Sequence, residues 1–309
     1  MNTFSLLNDF LEHLIVEKNR SELTRETYER RILYFLDWLQ NDDPKSINTT
    51  SIRKYRLHLN TKNHKEKPIG KTTQTYYLIA IRSFLKYLAK RNITSLSPEN
   101  IEIGKIEQTE IDFLENNELE RLLASPKTKT LAGLRDRAIL ELLFSAGLRV
   151  SELVSLNKSH LNLERQEMSI RGKGKKLRIV FISSFARNAL AEYLKKRTDI
   201  DEALFIRLRY KTLESFTDDL RLTPRSIQRI VKSHAASAGI VKNVHPHTLR
   251  HTFATDLLRN GADIRSVQTM LGHSSITTTQ IYTHITNNQL KEVYKKYHRK
   301  KTSSDQKES

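Results

Sequence analysis

His245-Pro246-His247-Thr248-Leu249-Arg250-His251 packs three histidines and an arginine into one short run at the start of a helix. The first reading is a metal site, because His247 and His251 stand at i and i+4, the spacing of a zinc-protease helix. That motif needs a Glu directly after its first His, and here the residue is Thr248. Zinc would also need a third ligand, and the chain has no cysteine to offer. No metal site is assigned. Each histidine taken alone is more often a helix cap or the partner of a buried polar group. Taken together, His247 and Arg250 sit one turn apart on one helical face. A guanidinium presents a planar fork of donors that matches two phosphate oxygens. An imidazole accepts or donates a proton near neutral pH. The pair therefore reads as a bound phosphate with a proton carrier beside it.

Further chemistry lies on both sides of this run. Leu271-Gly272-His273-Ser274-Ser275 is a turn that opens another helix, and helix N-termini bind anions, so His273 stands where a phosphate can dock. Nine residues later Tyr282 occurs in Gln280-Ile281-Tyr282-Thr283-His284. Upstream, Gly147-Leu148-Arg149-Val150-Ser151-Glu152-Leu153 puts an arginine at a helix junction, with Glu152 one turn after it. Gly172-Lys173-Gly174 puts a lysine on the tip of a strand–turn–strand hairpin spanning Glu167 to Ile182. Each feature has a blander alternative. A tyrosine in a helix is usually core, a lysine in a turn is usually solvated, and an arginine beside a helix C-terminus usually meets the dipole.

The chain has 309 residues, a net charge of +18 and a pI near 9.9. That excess points to a polyanionic partner of the nucleic-acid kind. The charge is uneven. Residues 52–91 hold eleven Lys and Arg against one acid, whereas residues 1–51 hold nine acids against six bases. A basic block beside a balanced one reads as a binding face. The absence of cysteine excludes disulfides and a thiol nucleophile. No secretory signal and no run of roughly 18 apolar residues stand out, so a soluble cytoplasmic protein is expected, with no membrane partner.

Periodicity divides the chain. Helical spacing dominates residues 1–94, which read as a helical DNA-binding domain. Residues 95–112 lack it and read as a linker. A second, mainly helical domain with the small β-hairpin is expected over 113–288. It is followed by an amphipathic helix at 289–300 with Leu290, Val293, Tyr294 and Tyr297 on one face, and by a polar, disordered tail at 301–309. Candidate DNA contacts are Arg53, Lys54, Lys71 and Arg82 in the first domain, and Arg225 and Arg229 on the helix after Pro224 in the second.

The order Gly-Leu-Arg-x-Ser-Glu-Leu, Gly-Lys-Gly, His-x-Leu-Arg-His, Leu-Gly-His and a final Tyr resembles the catalytic domain of the tyrosine recombinases, the phage integrase family, and within it the Xer-type site-specific recombinases. The resemblance is strong over residues 113–285 and rests more on pattern in the N-terminal part. It implies a two-domain DNA clamp: a helical SAM-like core-binding domain plus a recombinase catalytic domain, without an additional arm-binding domain. It implies six catalytic positions, Arg149, Lys173, His247, Arg250, His273 and Tyr282, with Glu152 in support.

On this reading Tyr282 attacks a DNA phosphodiester and forms a 3′-phosphotyrosine. His247 is the candidate base, the two arginines clamp the non-bridging oxygens, and His273 adds a hydrogen bond. Lys173 protonates the leaving 5′ oxygen, a role the resemblance implies. The ester conserves the bond energy, so no ATP and no other cofactor is expected. In agreement, no phosphate-binding Gly-rich loop ending in Lys-Ser or Lys-Thr occurs. The implied partners are a double-stranded recombination site and further copies of the chain, as a tetramer on two DNA sites, with a DNA translocase as another candidate. The implied task is chromosome or plasmid dimer resolution, linked to chromosome partition and cell division. A mobile-element integrase and a type IB topoisomerase stay open as alternatives. The C-terminal helix has two readings, packing on its own domain or docking on a neighbouring protomer.

Overall fold

The computed structural model describes residues 2–61, 69–104, 113–171, 177–208, 220–272 and 294–298. The chain divides into two compact units, Met1–Thr109 and Glu110–Ser309.

The first unit is helical: α1 (Thr3–Val16), α2 (Glu22–Leu39), α3 (Thr49–Thr61) and α4 (Lys71–Lys90). Local signals start these helices. The Asn2 side chain accepts from the Ser5 N–H, and the Ser21 hydroxyl accepts from the Thr24 N–H, satisfying donors that a helix start leaves unpaired. The apolar stripe of each helix meets in one core that includes Phe10, Phe35, Tyr55 and Phe84. Phe35 meets the Tyr55 ring edge-on with centroids 4.8 Å apart. Side chains of this size contribute ~1.5–3 kcal/mol each when fully buried.

Residues 95–104 are not free linker. Leu96 N–H donates to the Ile47 carbonyl, Pro98–Asn100 forms a 3₁₀ turn, and Ile101 is wholly buried in the first core. The stretch lacks helical periodicity, yet its apolar residues still have a core to fill. The rest of the expected linker, 105–112, lies outside the described residues.

The second unit contains α5 (Asn116–Ala124), α6 (Leu131–Ala146), α7 (Val150–Val154), α8 (Ser184–Lys196), α9 (Pro224–Ser237), α10 (Pro246–Arg259) and α11 (Ile264–Leu271), with a small antiparallel sheet. That sheet has three strands in the order β1 (Leu161–Asn162), β2 (Glu167–Arg171) and β3 (Leu177–Phe181). The hairpin expected from the sequence is β2–β3, in the register Met168↔Val180 and Ile170↔Arg178. The two-residue β1 is too short to leave a periodic signal. Helix α6 runs through the middle of the core: eleven of its sixteen residues are buried, which is why it reads as apolar nearly all round.

Residues 294–298 lie on this same unit. The Tyr294 hydroxyl donates to the Ser145 carbonyl at 2.9 Å, and His298 stacks on Tyr294. Tyr294 is thus core in the single chain. Leu290, Val293, the helix expected after the turn at 271–275 and the tail 301–309 lie outside the described residues. Among the described residues, no helix is long and apolar enough to cross a membrane.

Candidate active site

Glu152 organises the site. It sits in the first turn of α7 and is 5% exposed. Its Oε2 accepts the backbone N–H of Arg149 at 2.9 Å, which starts the helix, and its Oε1 pairs with Arg149 Nη1 at 2.9 Å. Arg178 Nη2 donates to Oε2 at 3.2 Å, and Arg250 Nη1 stands 3.8 Å from the same oxygen. One buried carboxylate is therefore faced by three guanidinium groups. Three positive charges against one negative charge leave a net excess of two, held partly out of water. Such a cluster calls for an anion to complete it.

The backbone makes this convergence feasible. Helix α6 ends at Gly147, whose φ of +57° is left-handed, and a Cβ there would lie 2.6 Å from the Phe253 ring. The glycine turns the chain so that Arg149 arrives at the start of α7. Arg250, on α10, bridges three elements: its Nη1 donates to the Gly147 carbonyl and its Nη2 to the Leu271 carbonyl, both at 2.6 Å. Arg250 is 2% exposed, whereas the Arg149 side chain is 36% exposed. The two arginines that the sequence presents as equal clamps thus differ. Arg149 is open to an incoming phosphate. Arg250 already ties the end of α6 and the end of α11 to α10.

Burial holds the Arg250 guanidinium down at about 10, with the neighbouring Arg149 charge acting in the same direction and Glu152 opposing it. At neutral pH it is still cationic. His247 is shifted below its ordinary value, first by burial and then by the charges of Arg250, His245 and Arg149. A shift in that direction leaves the imidazole neutral at pH 7, the form able to accept a proton. Its neighbours have other work. His245 caps α10, its Nδ1 accepting from the Thr248 N–H at 3.1 Å. The His251 ring lies edge-on to that of His247, centroids 4.3 Å apart. Among the described residues, no three His, Cys, Asp or Glu side chains are grouped to hold a metal ion.

Beside the cluster lies a groove of about 620 Å³ whose lining includes Arg149, Ser151, His245 and His247 together with Gln228 and Lys232 of α9. Gln228 and Lys232 are exposed and four residues apart, so they share one helical face. Arg225 and Arg229, singled out from the sequence on this helix, are also exposed, and Arg229 borders a different groove with Arg135 and Arg207. In the first unit Arg53, Lys54 and Lys71 are exposed. Arg82 is half-buried, and its Nε is covered with no hydrogen-bond partner among the described residues.

The structure therefore brings together Arg149, Glu152, His247 and Arg250. Lys173, His273 and Tyr282 lie outside the described residues. Sequence reasoning missed Arg178, Gln228 and Lys232. For Arg178 a signal existed: it shares the inner face of the hairpin with Ile170, Met168 and Val180, all at most 5% exposed. A charge on an inward strand position implies a buried partner. The signal was masked because Ile179, on the outer face, is apolar too and blurs the alternation.

The phage integrase family model matches residues 112–289, and the phage integrase N-terminal SAM-like domain matches residues 7–92. The chain is 38% identical over 306 residues to tyrosine recombinase XerD of Oceanobacillus iheyensis, covering 94% of this chain and 97% of that one. It is 35% identical over 311 residues to tyrosine recombinase XerC of Pelotomaculum thermopropionicum, covering 94% and 97%. Among solved structures, the XerH site-specific recombinase bound to a palindromic difH substrate aligns with a TM-score of 0.64 and 24% identity, over 93% of this chain and 82% of that one. At that identity the match speaks to the fold alone.

Proposed function

This chain belongs to the phage integrase family as an Xer-like tyrosine recombinase, and from that premise we propose that it cuts and rejoins DNA at a specific site through Tyr282. The observation that carries the reading is the buried Glu152 with its three guanidinium partners beside a neutral His247. This is a preorganised seat for a phosphate, with a proton acceptor next to it.

The reaction is a transesterification. The Tyr282 oxygen bonds to the phosphorus as the bond from phosphorus to the 5′ oxygen breaks. The Tyr282 proton passes to His247, and the leaving 5′ oxygen takes a proton from Lys173. Arg149 offers its exposed N–H groups to the non-bridging oxygens. Arg250 fixes the geometry behind it and adds positive field, and His273 completes the donor set. Phenol is a weak nucleophile at its ordinary pKa of about 10, so both field and acceptor are needed. The product is a 3′-phosphotyrosine with a free 5′ hydroxyl, and the reverse attack rejoins a strand without ATP.

The partner is a double-stranded recombination site. Its phosphates would meet the exposed cations of both units, Arg53, Lys54 and Lys71 in one, Arg225, Arg229 and Lys232 in the other. Exchange between two duplexes breaks four strands, and each chain supplies one Tyr282, so the working assembly is a tetramer on two sites. Resolution of chromosome or plasmid dimers, with a translocase as a further partner, is the task that fits an Xer-like enzyme.

A nicked suicide substrate traps the covalent intermediate and tests this directly. The wild-type protein should form a protein–DNA adduct and Tyr282→Phe none; an adduct with the variant overturns the assignment. The same assay across pH should hold its rate down to below about 6.5, the ordinary histidine value, and then fall as His247 takes a proton.

A further inference from the structure

We infer that Arg178 is a positioning residue of the strand-cleavage site, pinning Glu152 and the Leu271 carbonyl so that Arg149 and Arg250 hold their alignment. The inference rests on the cleavage reading above and deepens it.

Arg178 enters from β3, an element that contributes none of the residues so far assigned to the site within the described structure. Its Nη1 donates to the Leu271 carbonyl at 2.8 Å and its Nη2 to Glu152 Oε2 at 3.2 Å. These are the two acceptors that Arg250 also approaches, at 2.6 Å and 3.8 Å. Two guanidinium groups thus bracket one carboxylate oxygen and one carbonyl oxygen. The arrangement joins β3, α7, α10 and the end of α11. The Arg178 side chain is 18% exposed, and burial lowers its pKa while Glu152 opposes that shift. A cation placed there without a role in holding its neighbours would simply cost desolvation.

A second observation points the same way. Gly272 ends α11 with a φ of +61°, and a Cβ on it would lie 1.6 Å from Arg178 Nη1. The absence of a side chain at 272 therefore permits Arg178 to reach the Leu271 carbonyl. Arg149 Nη2 donates to the next carbonyl, that of Gly272, at 3.4 Å. Two successive carbonyls at the end of α11 are accordingly held by the arginine cluster. In sequence, Arg178 follows Lys173 by five positions and Leu271 precedes His273 by two. Arg178 joins the described ends of the two segments that carry those residues.

Bond geometry decides what each substitution does. Gln at 178 removes the charge and cannot span both acceptors, and Lys keeps the charge with a single donor point. Neither changes Arg149, the arginine open to substrate.

The test uses the full chain and the suicide substrate, reading the DNA Kd by gel shift and the single-turnover rate of adduct formation at saturating protein. Arg178→Gln should slow adduct formation roughly 10- to 100-fold, the scale of a small misalignment of reacting groups. Its Kd should stay within about twofold, and Arg178→Lys should recover part of the rate. Gly272→Ala, which crowds Arg178 and also strains the left-handed turn, should slow the same step. An unchanged rate in Arg178→Gln overturns the inference. So does a parallel loss of affinity and rate, which would make Arg178 a phosphate contact. If Arg178→Gln fails to fold, the Arg178→Lys rate and Kd decide by the same criteria. Failure of the cleavage reading itself looks different: the wild-type protein then forms no adduct, or Tyr282→Phe still does.

Discussion

The two units handle charge in opposite ways. Among the described residues, the first unit buries Thr3 and Ser51 as its only polar residues, around a core that is otherwise aliphatic and aromatic. Its described lysines are exposed, and its arginines are exposed or half-buried, none fully buried. The second unit buries Glu141, Glu152 and Arg250 and brings Arg149 and Arg178 against the second of these. Exposed cations are cheap and mobile, and they serve affinity that is screened by salt. Buried cations are costly, must be held by fixed partners, and act strongly on a charge that develops beside them. On the proposed function, the contrast separates holding DNA from acting on it.

The largest effect expected from this contrast lies at Glu152. Glu152→Ala would leave three guanidinium groups facing each other without their common anion. Removing one side of such a buried arrangement costs about 3–5 kcal/mol, measurable by urea denaturation, and cleavage should be lost with it. If Glu152→Ala is as stable as wild type, the carboxylate is not the centre of the cluster, and the distinction between the units fails at its root.

Next in size is a difference within the cluster. Arg149→Ala and Arg250→Ala should each lower the cleavage rate by roughly 10²–10³, the usual loss for one preorganised donor, with DNA affinity largely kept. Only Arg250→Ala should also destabilise the fold, by about 1–3 kcal/mol, since it strips the Gly147 carbonyl of its Arg250 donor and leaves the Leu271 carbonyl with Arg178 alone of its two guanidinium donors. Thermal melting of the two variants side by side checks this. Equal destabilisation would mean that Arg149 is as structural as Arg250. An equal loss of binding and cleavage would make both mere docking contacts.

That difference also marks where the amino-acid sequence stops being informative. The fold class is legible because the strong signals are local: apolar periodicity over α1 to α4, caps such as Asn2 and Ser21, and the Gly-Lys-Gly string between two short runs of strand-forming residues. The site residues are legible as a set, because Arg149, Glu152, His247 and Arg250 fall in short strings whose order resembles a known family. Their division of labour is not legible. Arg250 lies 103 positions from Gly147 and 21 from Leu271, and no local pattern records that its nitrogens are spent on those two carbonyls. Arg178 is hidden for the same reason, 26 positions from Glu152. Lys232 gives no signal because only folding brings the α9 face that it shares with Gln228 into the same groove as His247.

The smallest effects belong to the surface charges, and they sharpen the contrast most cleanly. Each cation that contacts a phosphate releases about one counterion on binding, so its removal should flatten the slope of log affinity against log salt by ~0.9. Lys54→Ala and Lys71→Ala in the first unit, and Lys232→Ala in the second, are the variants to compare. The first two should weaken binding and flatten the slope while leaving the single-turnover rate at saturating protein unchanged, because a lysine that only holds backbone phosphate contributes equally before and during the chemical step. Lys232 faces the same groove as Arg149 and His247, so its removal should flatten the slope as well and also slow the step by a small factor. A Lys232→Ala protein that behaves like Lys54→Ala in both readouts would place Lys232 with the holding charges. A Lys54→Ala protein slowed at saturation would show that the first unit's cations reach into the chemistry after all.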